Sequence, residues 1–141
     1  MKFNLNSRSI RDIIFNLIAC GFKMDNICNQ FIEYILDNSE HVTGETVEKI
    51  IYCCYTFGYF PDKIEVFDKC SEIILRDFEY MNGLSIVQAL LALTFYKSCP
   101  ESLISRVFST DFIKKLQQEI EMCYSRASYP SRVLNLGEFY Y

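Results

Sequence analysis

An apolar run that closes on glycine and an aromatic residue constrains this chain more than any other feature, because it recurs. Ile14-Phe15-Asn16-Leu17-Ile18-Ala19-Cys20-Gly21-Phe22 returns as Ile50-Ile51-Tyr52-Cys53-Cys54-Tyr55-Thr56-Phe57-Gly58-Tyr59-Phe60-Pro61, with the glycines 37 residues apart. A third copy, Leu90-Leu91-Ala92-Leu93-Thr94-Phe95-Tyr96-Lys97-Ser98-Cys99-Pro100, repeats Thr-Phe after 38 residues and Pro after 39. One helical pair of this length cannot bury its apolar face alone, so a period of 37–39 predicts stacked helical pairs.

The periodicity inside each repeat supports that reading. Ser7 is the expected cap of a first helix carrying Ile10, Ile13, Ile14, Leu17 and Ile18, an i, i+3, i+4, i+7, i+8 stripe that ends at Gly21. A second helix starts near Asp25 and carries Ile27, Phe31, Ile32, Ile35 and Leu36. Thr43 caps a third, with Val47, Ile50, Ile51 and Cys54 on one stripe and Gly58 at its end. Pro61 is expected to start a fourth, through Ile64, Phe67, Ile74 and Leu75, since proline tolerates a first-turn position. Asn82-Gly83 restarts the chain as a fifth helix, whose main stripe reads Leu84, Val87, Leu91, Phe95 and which is apolar nearly all round, as expected of a buried helix. Pro100 opens a short sixth helix holding Leu103, Ile104 and Val107, and Thr110 caps a seventh with Phe112, Ile113, Leu116, Ile120 and Cys123 on one face. The expected fold is all-α, an α-solenoid of about three helical hairpins plus a closing helix, over residues 1–125. Residues 126–141 have no sustained period and read as an irregular C-terminal segment.

Composition sets the outer limits. Half of the 141 residues are apolar or aromatic, and glycine and proline are few, 5 and 3, so the chain is read as one folded domain rather than a disordered one. Its 14 Lys and Arg against 18 Asp and Glu give a net charge of −4, which argues against a self-sufficient nucleic-acid domain with a broad basic footprint. Cys20, Cys28, Cys53, Cys54, Cys70, Cys99 and Cys123 contain no CxxC, and the chain has one histidine, so neither a zinc site nor a disulfide framework is expected. Most of these cysteines fall on apolar helix positions and read as small core residues in a reducing compartment. No apolar run reaches the roughly 18 residues that span a bilayer, so membrane insertion is not expected.

Catalytic signals are as sparse. His41 stands in a polar loop with no orienting partner implied, so it reads as a loop residue rather than a base. The glycines are scattered at turns and form no P-loop. Arg76-Asp77-Phe78-Glu79 superficially resembles the metal-binding Asp-Phe-Gly of protein kinases, but glutamate stands where glycine should, and no glycine-rich loop or catalytic His-Arg-Asp accompanies it. Glu45, Glu48, Glu119 and Glu121 read as solvated charges on polar helix faces. The chain is therefore expected to be no enzyme and to need no cofactor or metal.

The outward face of the first helix in each pair remains. Arg11-Asp12, Glu48-Lys49 and Ile86-Val87 occupy equivalent positions there, with Tyr52, Tyr55, Gln88 and Tyr96 as stacking or hydrogen-bonding groups. Repeat proteins that read single-stranded RNA use fixed positions on one helix per repeat and stack bases on aromatic rings. Arg11, Lys49, Tyr52 and Gln88 are the resulting candidates, against the alternative that the tyrosines pack between helices.

The run Ile50 to Pro61, then Phe67 to Leu75, then Leu84-Ser85-Ile86-Val87-Gln88-Ala89-Leu90-Leu91-Ala92-Leu93-Thr94-Phe95-Tyr96 resembles the helical repeats of the FAST kinase domain-containing family. The resemblance extends from about Ile10 to Phe108. It is closest to the family's first conserved subdomain, in which a Phe-Gly-Tyr-x-Pro-like turn, here Phe57 to Pro61, precedes a Leu-x-Ile-Val-x-Ala-Leu-like helix, here Leu84 to Leu90. It implies a helical repeat protein of the mitochondrial matrix that binds single-stranded mitochondrial RNA and affects its processing, stability or translation. No counterpart of the second subdomain or of the C-terminal RAP domain is present, so the expectation is one module of a longer protein. The resemblance carries over no catalytic residue. The rival expectation is a scaffold of the same architecture that binds protein partners without touching RNA.

Overall fold

The structure, a computed structural model, describes residues 4–20 and 25–126. Among the described residues there are seven α-helices and no strand. They are α1 (Ser7–Cys20), α2 (Asp25–Asp37), α3 (Gly44–Phe57), α4 (Val66–Arg76), α5 (Gly83–Phe95), α6 (Glu101–Val107) and α7 (Thr110–Arg126), with a 3-10 turn at Phe78–Tyr80. The expected end of the first helix at Gly21 and the C-terminal segment from residue 127 onward lie outside the described residues.

The repeat is visible in how the helices begin. Asn6 Oδ1 accepts the Ser9 N–H at 3.0 Å, Thr43 Oγ1 accepts the Thr46 N–H at 3.3 Å, and Asn82 Oδ1 accepts the Ser85 N–H at 2.8 Å. Each side chain satisfies one of the four donors that a helix start leaves unpaired, at equivalent places in α1, α3 and α5. The cap of α1 is thus Asn6 rather than Ser7, which is already helical. Ser109, whose Oγ accepts the Phe112 N–H at 3.2 Å, takes the same part ahead of α7 in place of Thr110. Pro61 does not open α4. Residues 61–63 are irregular and 64–65 form a turn, helix begins at Val66, and Ile64 is exposed instead of sharing the core stripe.

The ends of α3 and α5 also repeat. Gly58 has φ 66°, and its N–H and that of Tyr59 return to Tyr55 O and Cys54 O. Lys97, with φ 58°, stands where that glycine would be, and its N–H and that of Ser98 return to Thr94 O and Leu93 O. A side chain is sterically strained in this left-handed conformation whereas glycine is not. A Cβ on Gly58 would meet nothing within 4 Å, so Gly58→Ala is expected to destabilise through its backbone alone, by about 1 kcal/mol. Lys97→Gly is expected to gain roughly 0.5–1 kcal/mol. Urea midpoints moving in opposite directions would agree with this, and unchanged midpoints would contradict it.

Contacts run from α1 to α3, from α3 to α5 and from α5 to α7, while α2 packs on both α3 and α4. One core threads them, holding Ile10 of α1, Phe31 of α2, Ile50 of α3, Phe67 of α4, Leu93 of α5 and Leu103 of α6. Polar ties fasten successive units. Arg76 donates to Ser39 O and Val42 O after α2, and Asp77 Oδ2 accepts the Gly44 N–H at the start of α3, at 2.7 Å. Asp77 can come this close because residue 44 has no side chain; a Cβ there would lie 3.0 Å from Asp77 Cβ and 2.6 Å from Met81 Sδ. Two acids capture the start of α5, where Asn82 caps from within. Glu45 accepts the Asn82 N–H and the Ser85 hydroxyl, and Glu119 accepts the Gly83 N–H at 2.7 Å. Carboxylates are favoured at this positive end of the helix dipole. Glu45 and Glu119 are therefore helix-capping groups, not the solvated charges their sequence suggested.

The face of α5 is the main reversal. Its buried residues are Ile86, Ala89, Ala92 and Leu93 with Gly83 and Ser85, whereas Leu84, Leu91 and Phe95 are exposed. A helix apolar on all sides gives no period by which to choose a face, and here the smaller side chains Ser85, Ala89 and Ala92 go inward. Leu84, Gln88, Leu91 and Phe95 are left on the outer row. The cysteines distribute as core chemistry would have them. Cys28, Cys53, Cys54 and Cys70 are buried, Cys99 is half-buried, Cys20 and Cys123 are exposed, and none forms a disulfide. Burial pushes the Cys70 thiol up to about 12.

Candidate nucleic-acid interface

The four sequence candidates fall on three helices. Arg11 is exposed on α1, Lys49 and Tyr52 lie one turn apart on α3, and Gln88 is half-buried on the outer row of α5. The register between α3 and α5 is fixed by two contacts of the same offset: Ser85 Oγ donates to Glu45 Oε2 at 2.9 Å, and the Tyr55 and Phe95 rings lie 5.1 Å apart. That register sets Gln88 level with the Glu48-Lys49 pair, so three of the four candidates belong to one surface. Arg11 belongs to the equivalent row of α1, which also carries exposed Phe15 and Ile18.

Around Tyr52 the structure assembles a cluster of rings drawn from α3, the turn after it and the end of α5. Tyr52 meets Tyr55 at 5.7 Å, Tyr55 meets Phe95 at 5.1 Å, and Phe95 meets Phe60 at 5.5 Å. Tyr96 lies beneath, edge-on to Phe60 and Phe95 and stacked on Phe67 at 4.0 Å and 14°. Its hydroxyl donates to Tyr59 O. Tyr96 is thus a buried floor and not a ligand-facing group, while Phe60 and Phe95 remain 62% and 41% exposed. Tilted and edge-on aromatic pairs at these separations stabilise one another, which fixes the exposed rings in place.

Charge on this surface differs from the acidic whole. Both carboxylate oxygens of Glu45 are engaged at the start of α5. Glu48 is 0% exposed, and neither of its oxygens accepts a hydrogen bond, although Lys49 Nζ lies 3.2 Å from Oε2. Removal from water raises its pKa to about 7; Lys49 pulls the other way and Glu45 adds to the rise. The Glu48 carboxyl therefore offsets Lys49 only partly near neutral pH. Lys97 follows the buried floor tyrosine and forms no ion pair with any described residue. Asp12 on α1 and Asp62, two residues beyond Phe60, are exposed as well.

Sequence reasoning missed Phe60, Phe95, Leu91 and Lys97. Phe60 sits in a turn, outside any helical period, and Leu91 and Phe95 have the spacing of an inward stripe. Lys97 gave no sign: aligned on Thr-Phe, 38 residues apart, Gly58 meets Tyr96, and the match of Gly58 with Lys97 shows in their left-handed backbone and helix-end hydrogen bonds. The kinase-like tetrapeptide is structural in its first two residues. The Arg76 guanidinium holds the Asp77 carboxyl below its usual range, and Asp77 in turn caps α3.

A family model described as FAST kinase-like protein, subdomain 1, matches residues 47–117, just over half of the chain. Comparison with the curated proteins finds no match, and comparison with the solved structures finds none.

Proposed function

The chain belongs to the FAST kinase-like family through its subdomain 1, and from that premise we propose that it is an RNA-associated module acting on mitochondrial transcripts in the matrix. The helices are arranged for this as an α-solenoid of about three hairpins and a closing helix, with α1, α3, α5 and α7 forming the successive row. The observation that carries the reading is the ring cluster on α3 and α5, because unpaired bases stack on aromatic faces without regard to sequence. Lys49 and Arg11 supply cations for the phosphates, and Gln88 supplies an amide for base edges. The role assigned is binding and regulation of RNA processing, stability or translation, with no catalytic step and no cofactor. Asp77 of the kinase-like tetrapeptide is held instead at the start of α3.

The test is single-stranded RNA binding by the whole chain and by its Arg11→Ala, Lys49→Ala double variant. Removing one phosphate-binding cation should lower the slope of log K against log salt by about 0.7, so the double variant is expected to bind more weakly with a slope smaller by about 1–1.4. Equal affinity and equal slope would remove both cations from the interface. A protein-binding scaffold is the second reading, favoured by the exposed stripe Leu84, Leu91 and Phe95. It predicts a complex whose affinity is insensitive to salt.

Among the described residues, no helix is long and apolar enough to cross a membrane.

A further inference from the structure

Three independent observations narrow the RNA-binding face to one spot at its end. The first is the group of exposed rings, Phe60 and Phe95, resting on Tyr96, which is pinned by its hydroxyl to Tyr59 O and by its ring to Phe67. Two outward rings on a rigid aromatic floor make a stacking platform that loses little freedom when a flat ligand settles on it. The second is Lys97, a cation kept in left-handed backbone at the position that Gly58 fills in the preceding repeat, without an ion-pair partner among the described residues. Non-glycine residues persist in such conformations where the surrounding structure holds them, and these positions cluster at ligand-binding sites. The third is the disposition of the acids on α3. Glu45 is turned into the start of α5 and Glu48 is buried, which leaves Lys49 as the charge of that turn that reaches solvent.

We propose that Phe60, Phe95 and Tyr55 form a stacking platform for unpaired bases of single-stranded RNA, with Lys97 and Lys49 holding phosphates at its two ends. This rests on the RNA reading given above and adds to it residues that the repeat pattern did not single out. The platform takes bases by their faces and not their edges, so it tolerates any base, and it excludes duplex RNA, whose bases are already stacked. Lys97 also borders a cleft of about 400 Å³ that it shares with Asp68, Ser71, Glu72 and Pro100, and like charge disfavours phosphates inside that acid-lined cleft.

Photocrosslinking of the whole chain to a 4-thiouridine-labelled single strand, with the adducts located by mass spectrometry, tests the platform alongside equilibrium binding of two variants. Adducts are expected on peptides carrying Tyr55, Phe60 and Phe95. Phe60→Ala, at an exposed position, is expected to weaken binding on the order of tenfold while leaving the fold intact. Lys97→Gly is expected to raise thermal stability yet bind RNA less tightly, with a salt slope smaller by about 0.7. Binding with adducts confined to α2, α4 or α6, or Lys97→Gly binding as the parent does, would overturn the platform and leave the RNA reading standing. Absence of RNA binding even at low salt would overturn both. If Phe60→Ala instead turned a self-associated chain into a monomer in sedimentation, with RNA affinity unchanged, the patch would be a protein contact and the platform would be refuted.

Discussion

Phe67→Ala is expected to destabilise the fold by about 3–5 kcal/mol, the range for emptying a well-packed aromatic site. Phe67 is fully buried in α4 and its ring stacks on Tyr96 at 4.0 Å, so the truncation removes both buried area and an aromatic pair. Phe67→Leu keeps most of the volume and isolates the stacking, with a smaller expected cost of about 1–1.5 kcal/mol. Denaturant midpoints measure both; equal midpoints for the parent and the alanine variant would contradict the packing described. Because Tyr96 is the floor under Phe60 and Phe95, the leucine variant should also bind RNA less tightly while remaining folded. The stability of the second hairpin and the shape of the proposed binding face thus meet in one pair of rings.

Glu48→Met is expected to stabilise the chain, and to do so only at the alkaline side. The carboxyl titrates near 4.5 in the unfolded chain and near 7 in the folded one. Below 4.5 both states hold the proton, and Glu48 makes no pH-dependent contribution. Between the two values the folded state keeps a proton that the unfolded state releases, so stability falls as pH rises. Above 7 both states are ionised and the loss is complete, at about 3 kcal/mol. Methionine removes the charge and suits the depth, since the equivalent place in α5, counted from the helix cap, is Val87. Thermal melts at about pH 5 and about pH 8, on either side of the folded-state pKa, should show a gap between variant and parent that widens toward the higher pH. A gap that is constant or narrows would show that Glu48 is not a buried ionising group.

Glu48 also shows where the sequence stopped being informative. Helix number and type were legible because the stripes of the first four helices and the recurring turn chemistry at Gly21, Gly58 and Pro100 are local signals. At α1 and α7 capping was legible to within one residue: Asn6 for Ser7 and Ser109 for Thr110 are neighbours that can all serve as caps, and the geometry decides between them. Pro61 misled because proline suits a first helical turn and a tight loop alike. The orientation of α5 was not legible, since leucine, isoleucine and alanine surround it and the choice depends on how closely α3 approaches. Glu45, Glu48 and Glu119 look alike in sequence, yet one reaches from α3 to cap α5, one is buried beside a lysine and one reaches back from α7. Of the candidate site, Lys49, Tyr52 and Gln88 were found through repeat position, whereas Phe60 and Phe95 emerge only when a turn and two helices come together.

The most direct measurement is the affinity of the whole chain for single-stranded RNA over a salt series from low to physiological strength. Binding that weakens steadily with salt and persists at physiological strength is the expected result, since rings and a few cations share the proposed interface. No binding at low salt, where the electrostatic contribution is largest, would contradict RNA contact by this chain and leave its exposed apolar row to a protein partner.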